Sequence, residues 1–282
     1  MSVRRRRAAA GTRPATAAES PHPAAGSARL GPVGATALAL VAAGAVAVAT
    51  GVGPALVERA SAALARRRRG GRLLHPAGRT FAGEVTIWGT PGPPTGVALL
   101  DSPGRYPATV RLSKGVPTPG SWPDVLGLAV RLHRGGEPPV DLLVSSSAAA
   151  PVLRHLPLPR RRFAGTYSSI MPYRRGRRRW WFAALAAPDS TDLGRSLAEA
   201  ATATRAADAP RLVLAVASAF GPWRPFGQVT LEGRRDARED AALAFDPIGN
   251  LPAELRAVGV LARLRDTSYR GSRRARGASP TP

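Results

Sequence analysis

Residues 106–133 read TyrProAlaThrValArgLeuSerLysGlyValProThrProGlySerTrpProAspValLeuGlyLeuAlaValArgLeuHis. Both ends of this stretch alternate. Val110 and Leu112 point one way while Arg111 and Ser113 point the other. Leu126, Leu128, Val130 and Leu132 then share a side. A period of two is the mark of a strand with one buried face. The middle, GlyValProThrProGlySerTrpPro at 115–123, has the chemistry of a turn. The same texture continues outward in both directions. Phe81, Val85 and Ile87 share a side, as do Val140, Leu142 and Val144. Residues 211–216 and 228–232 are further candidate strands, and ThrProGlyProProThrGly at 90–96 is another break. Several short, punctuated strands predict an antiparallel barrel or curved sheet. Arg111 and Ser113 are expected on an inward face, where polar groups need partners. One helix is expected over roughly residues 191–207, with Ser190 or Thr191 as cap and Asp192 near the first turn.

The N-terminal part has a different character. Residues 1–30 open with Arg4-Arg5-Arg6-Arg7 and continue in Ala, Pro, Thr and Gly, which predicts a disordered basic tail. Residues 31–57 carry no charge, and about 20 apolar residues span a bilayer. Three readings stay open for this run: a single membrane anchor, a mildly apolar soluble helix or linker, and a cleaved export signal. The anchor is preferred, so the chain is expected at a membrane and otherwise in the cytoplasm. Arginines flank both sides and leave the orientation open. Residues 58–71 read as a basic helix and linker. Within 55–69, which suits a helix, Val57 and Leu64 share a face, and Arg66–Arg69 at its end suit either anionic lipid or the helix dipole.

Composition narrows the chemistry. The chain has 282 residues and a net charge of +23, from 41 basic and 18 acidic residues. That field attracts phosphates, acidic lipids and carboxylates. There is no cysteine, which excludes disulfides, iron–sulfur clusters and thiolate chemistry. Four histidines (His22, His75, His133 and His155) are dispersed, with no acid at ligand spacing. No phosphate-loop, dinucleotide, HisGluXXHis or GlyXSerXGly motif is present. The run Tyr173-Arg174-Arg175-Gly176-Arg177-Arg178-Arg179-Trp180-Trp181 combines charge with stacking groups suited to nucleic acid. The plainer reading, an arginine-rich loop leading into a buried Trp-Trp-Phe segment, is preferred, and no specific nucleic-acid partner is expected.

An ordered set of short motifs then stands out. Arg72-Leu-Leu-His75 precedes the strand of Phe81 and Val85. ValArgLeuSerLysGly follows at 110–115, AspValLeuGlyLeuAlaVal at 124–130 and AspLeuLeuVal at 141–144. PheAspPro (245–247) and ValGlyValLeuAlaArgLeuArgAspThrSerTyrArg (258–270) close the series. Each motif is weak alone, but their shared order resembles the haem catalase superfamily. The resemblance implies an α+β fold, a catalase-like antiparallel β-barrel with peripheral helices. The domain is expected over residues 72–277, with a disordered tail at 278–282.

The resemblance also implies roles. His75 falls on the distal histidine, the acid–base that moves a proton between peroxide oxygens, and an imidazole suits that task near neutral pH. Ser113 falls on the serine that orients it. Arg72 and Arg111 fall on arginines that pair with haem propionates. Tyr269 would be the proximal ligand to haem iron. Arg265, one helical turn before it, would favour the phenolate. The ValGlyValLeu run also resembles an earlier family strand, a reading that leaves the Arg265–Tyr269 spacing without that meaning. The implied cofactor is haem b, and the implied substrate is a peroxide or a lipid hydroperoxide. Phe163, Trp180 and Trp181 are candidates to stack on the ring.

Departures from the pattern temper the activity expected. Ser145, Ser146 and Ser147 stand where the family has paired asparagines, so true catalase activity is expected to be weak. Val125-Leu126 replace a second acidic partner. The alternatives are a haem-free ligand-binding protein on the same fold, a phosphodiesterase-type phosphoester hydrolase, and a basic membrane-surface adaptor.

Overall fold

The computed structural model describes His75 and residues 77–115, 118–119, 121–236, 240 and 243–259. Ten strands are present: β1 (Ala77–Ile87), β2 (Gly104–Lys114), β3 (Leu126–Arg134), β4 (Glu137–Ser146), β5 (Thr166–Ser168), β6 (Tyr173–Arg175), β7 (Arg178–Ala186), β8 (Arg211–Ala217), β9 (Arg224–Arg234) and β10 (Arg256–Ala257). The hydrogen-bonded order is β10-β6-β7-β5-β4-β3-β2-β1-β9-β8, and β7 also pairs with β8. That last pairing closes β1, β2, β3, β4, β5, β7, β8 and β9 into an eight-stranded antiparallel barrel. β6 and β10 form a short flap that continues outward from β7.

The alternation in sequence fills the barrel. Phe81 pairs with Val110, Val110 with Val130, and Val130 with Leu142, all at one level and all pointing inward. Leu112, Leu128, Leu132, Val140, Leu214, Val216, Phe226, Val229 and Leu231 complete an interior with almost no exposure. Phe182 and Phe226 meet edge to face at 6.0 Å, a favourable arrangement of ring quadrupoles. An eight-stranded barrel has just the bore that such side chains fill, and here they form a packed apolar core.

Several expectations are corrected. Arg111 and Ser113 lie on the outer face, because their neighbours Val110 and Leu112 are the ones that point into the barrel. The expected helix over 191–207 is shorter. Among the described residues two short α-helices are present, α1 (Ala98–Asp101) and α2 (Leu197–Ala203). α2 is capped by Ser196, whose hydroxyl accepts from the Glu199 N–H at 3.1 Å and donates to the Glu199 carboxylate at 2.9 Å. This reciprocal capping box sets the start. Residues before it are held in a loop instead, with Asp192 bonded to Arg162. The arginine run at 173–179 is not a loop but a β6–β7 hairpin turning at Gly176, and it does lead into buried Trp180, Trp181 and Phe182. Among the described residues, no helix is long and apolar enough to cross a membrane. The segments at 1–30, 31–57 and 58–71, and the tail at 278–282, lie outside the described residues.

Candidate functional site

The outer face of β1–β5 is built from small and polar residues. Register places Gly78 beside Ser113, Ser113 beside Gly127, Gly127 beside Ser145, and Ser145 beside Ser168. Neighbouring strands lie about 4.8 Å apart, so this row of small side chains crosses five strands in about 19 Å. His75 sits directly on it. Its Nδ1 is 3.1 Å from the Ser113 Oγ, which is itself 3.3 Å from the Gly127 carbonyl oxygen. With the hydroxyl proton directed to that carbonyl, the serine oxygen accepts from Nδ1–H, and Nε2 is left as the basic nitrogen. A Cβ at Gly127 would lie 2.6 Å from the His75 ring and 2.6 Å from the Ser113 Oγ. Only glycine leaves this slot open.

The backbone at His75 is unusual. Its φ is 57°, in the left-handed region that costs a residue with a Cβ about 1 kcal/mol. Two contacts hold it there. The His75 N–H donates to the Gly115 carbonyl at 3.3 Å, and the Arg111 Nη1 donates to the His75 carbonyl at 3.2 Å. Arg111 thus both fixes the histidine and brings a cation beside it. Gly78 makes room for that guanidinium, since a Cβ there would fall 2.3 Å from Nη2.

Arg111 has a further partner that no sequence motif indicates. Its Nε donates to the Asp240 carboxylate at 2.9 Å, and the Thr80 hydroxyl donates to the same carboxylate oxygen. The Arg111 side chain is only 5% exposed in this ion pair. Its Nη2 is nevertheless buried without an acceptor. An orphaned N–H of this kind is costly unless a ligand oxygen meets it.

A second polar cluster lies further along the same outer face. Arg131 grips Asp141 with two bonds of 2.7 Å, and the carboxylate holds the guanidinium firmly in its charged form. Asp141 also accepts from the Asp246 N–H at 2.7 Å and from the Asn250 side-chain amide at 2.8 Å. The PheAspPro segment is therefore docked on the barrel by one buried carboxylate, with Arg131 lying 5.2 Å over the Phe245 ring. This is a structural clamp with every oxygen of Asp141 engaged.

The remaining sequence candidates divide. Ser146 is consumed by structure, since it accepts from the Leu126 N–H at 3.0 Å and donates to the Leu158 carbonyl at 2.6 Å. Ser145, by register, faces the row that carries His75. Phe163 and Trp180 belong to the apolar core. Trp181 stacks on His155 with ring centroids 4.6 Å apart. Burial pushes the Tyr167 phenol far up, and its hydroxyl donates to the Phe163 carbonyl at 2.7 Å, so it stays neutral. Arg72, Arg265 and Tyr269 lie outside the described residues. The structure thus brings His75, Ser113 and Arg111 together and adds Gly78, Thr80, Gly127 and Asp240. Gly127 was open to detection, as the one residue without a side chain at an outward position between Leu126 and Leu128. Asp240 had no such signal.

These residues suit one side of a haem in two respects and depart in a third. The orphaned Nη2 of Arg111 can meet a carboxylate, and the slot over Gly127 holds an imidazole with its basic nitrogen outward. Asp240, however, already shares the guanidinium that a propionate would use. Among the described residues, no three His, Asp or Glu side chains gather into a metal-binding group.

Comparison with models of known protein families finds no match, and neither does comparison with curated proteins. The fold is similar to that of a solved structure described as a bacterial catalase, with a TM-score of 0.56 at 14% sequence identity. The match covers 76% of this chain and 59% of that one, so this chain spans well under two thirds of the other's length. At this identity the likeness speaks for a catalase-like fold and nothing finer.

Proposed function

We propose that this protein binds haem b against the outer face of the barrel and reduces or rearranges peroxides, lipid hydroperoxides included. The observation that carries this reading is the His75 imidazole, held by Ser113 in a slot that glycine alone leaves open, with Arg111 beside it. Haem, when bound, would supply the iron redox chemistry. The protein's own residues supply the proton handling. Nε2 of His75 accepts a proton from one peroxide oxygen and returns it to the departing oxygen, which leaves as water or an alcohol. Ser113 keeps the ring in the orientation and tautomer that this transfer needs. Arg111 and Arg72 would hold the propionates, Tyr269 would hold the iron, and Arg265 would favour its phenolate. The serines at 145–147 donate from a shorter arm than an amide, so hydrogen peroxide disproportionation is expected to be slow.

The test is a visible spectrum of the full chain produced with haem supplied. A ferric spectrum of the tyrosinate type, lost in Tyr269→Phe, is expected. His75→Ala should abolish peroxide turnover while haem content is unchanged. A well-folded but colourless protein would overturn the haem reading. It would favour a haem-free protein holding a carboxylate ligand on Arg111, a second reading that the unsatisfied Arg111 Nη2 supports.

A further inference from the structure

The β6–β7 hairpin and β10 bring arginines into direct opposition. Arg256 pairs with Arg174, and Arg174 with Arg179, across three adjacent strands. Arg175 opposes Arg178 in the next row. Like charges directly opposite each other weaken a sheet. Among the described residues, none of Arg174, Arg177, Arg178, Arg179 and Arg256 has an ion-pair partner. The acids nearest in the fold are engaged by backbone. Asp101 accepts from the Thr95 and Gly96 N–H groups, and Glu254 from that of Ala98. The ladder is a stored repulsion that an external polyanion would relieve.

Among the described residues, four of the five exposed large apolar side chains share this end of the barrel. Phe220 is 77% exposed, Val152 65%, Trp88 47% and Leu153 45%. The last pair between β7 and β8 is Trp181 with Ala217, so β7 runs on beside the 218–223 turn that carries Phe220. The segment holding Val152 and Leu153 is fastened to the same turn. Arg154 donates to the Ser218 carbonyl at 3.3 Å, and Trp223 donates to the Ala149 carbonyl at 3.2 Å. Arg154 is itself buried, with its guanidinium 4.1 Å over the Trp223 ring. Trp88 joins through its N–H on the Phe226 carbonyl at 3.0 Å. The bases of these loops are thus fixed while their apolar tips point to solvent.

We propose that this end of the barrel docks on an anionic lipid bilayer, with Phe220, Val152 and Leu153 entering the interface and the arginine ladder meeting the headgroups. Apolar tips ringed by cations fit that surface. The aromatic residues next to the arginines on β7, Trp180 and Trp181, are buried, and the aliphatic tips Val152 and Leu153 would serve no purpose on a nucleic acid, which stacks its bases on aromatic faces. The proposal is independent of haem binding and of the membrane anchor expected at residues 31–57.

The absence of cysteine allows a direct test on the full chain. Phe220→Cys is labelled with a polarity-sensitive fluorophore, and Ala207→Cys, near the other end of β8, serves as the reference. Vesicles of phosphatidylcholine containing phosphatidylserine should raise the emission at 220 several-fold and shift it to the blue, with no change at 207. Vesicles of phosphatidylcholine alone should do neither. Replacing Arg174, Arg178 and Arg179 together by Gln should weaken the response about 100-fold, at roughly a factor of five per arginine. The same variant should melt no lower than the parent, since repulsion is removed. An unmoved probe at 220 overturns the proposal, including the case in which residues 31–57 alone hold the chain to vesicles. So does an equal response at 207, an apolar signal at 220 before vesicles are added, or a response only to a single-stranded oligonucleotide.

Discussion

The two faces of β1–β4 are made from the same strands but obey different rules. Inward positions carry Phe81, Val110, Leu112, Leu128, Val130 and Leu142, and every one is almost wholly buried. The alternate, outward positions carry Gly78, Thr80, Arg111, Ser113, Gly127, Arg131 and Asp141. The inner face is stabilised by area removed from water, and any apolar side chain of similar volume would serve. The outer face is stabilised by geometry, because each buried polar group there must find a specific partner. A site that depends on an exact imidazole position can be built only on the second kind of surface.

The most severe test sets one residue of each face against the other. Phe81→Ala should cost about 3–5 kcal/mol in denaturant unfolding, as expected for an aromatic removed from a core. Asp141→Ala, which strands Arg131 and releases the PheAspPro segment, should cost a similar 3–5 kcal/mol. If Asp141→Ala costs less than Ser113→Ala, the outer face is not held together by its polar clamp. Gly127→Ala sharpens the contrast in another way. It should leave the melting temperature nearly unchanged but displace the His75 ring and lower peroxide turnover about 100-fold. An active Gly127→Ala protein would dissociate the slot from the chemistry.

Ser113→Ala should cost about 1 kcal/mol, one buried hydrogen bond, and lower turnover with haem content unchanged. The smallest effect concerns pH and His155. Burial, together with the charge of Arg154, holds its pKa below the usual imidazole value of 6.5, against an opposing hydrogen bond to the Ala219 carbonyl. The unfolded chain then binds more protons than the folded one as pH falls past neutrality. Stability is complete above about pH 7 and declines toward pH 5. His155→Gln should flatten that slope in thermal melts. An unchanged slope would show that the histidine titrates alike in both states.

The inner face was legible in advance because it follows a local rule. Alternation at 81–87, 110–112, 126–132 and 140–144 identified inward residues without reference to any partner. The pair Arg111 and Ser113 was also visible, but its direction was misjudged, because polar residues with functional roles were placed inside. The barrel bore is too narrow for that, and the apolar set had already claimed it. The cap chemistry of Ser190, Thr191 and Asp192 points to a helix start near 191, but Asp192 accepts from the Gly194 N–H, Gly194 has a φ of 75°, and Ser196 caps α2 later. The β6–β7 hairpin was taken for a loop because five arginines mask the strand pattern.

Side-chain periodicity and turn residues were enough to establish the strands and their buried face, for these follow one repeated local rule; the contact of His75 with Ser113, 38 positions apart, was open only through the order of motifs. Closure of the barrel through β7 and β8, the Arg111–Asp240 pair and the gathering of exposed apolar tips around an arginine ladder came from folding alone. Each joins residues tens to more than a hundred positions apart, and no local preference encodes a contact whose two halves meet only when the chain is compact.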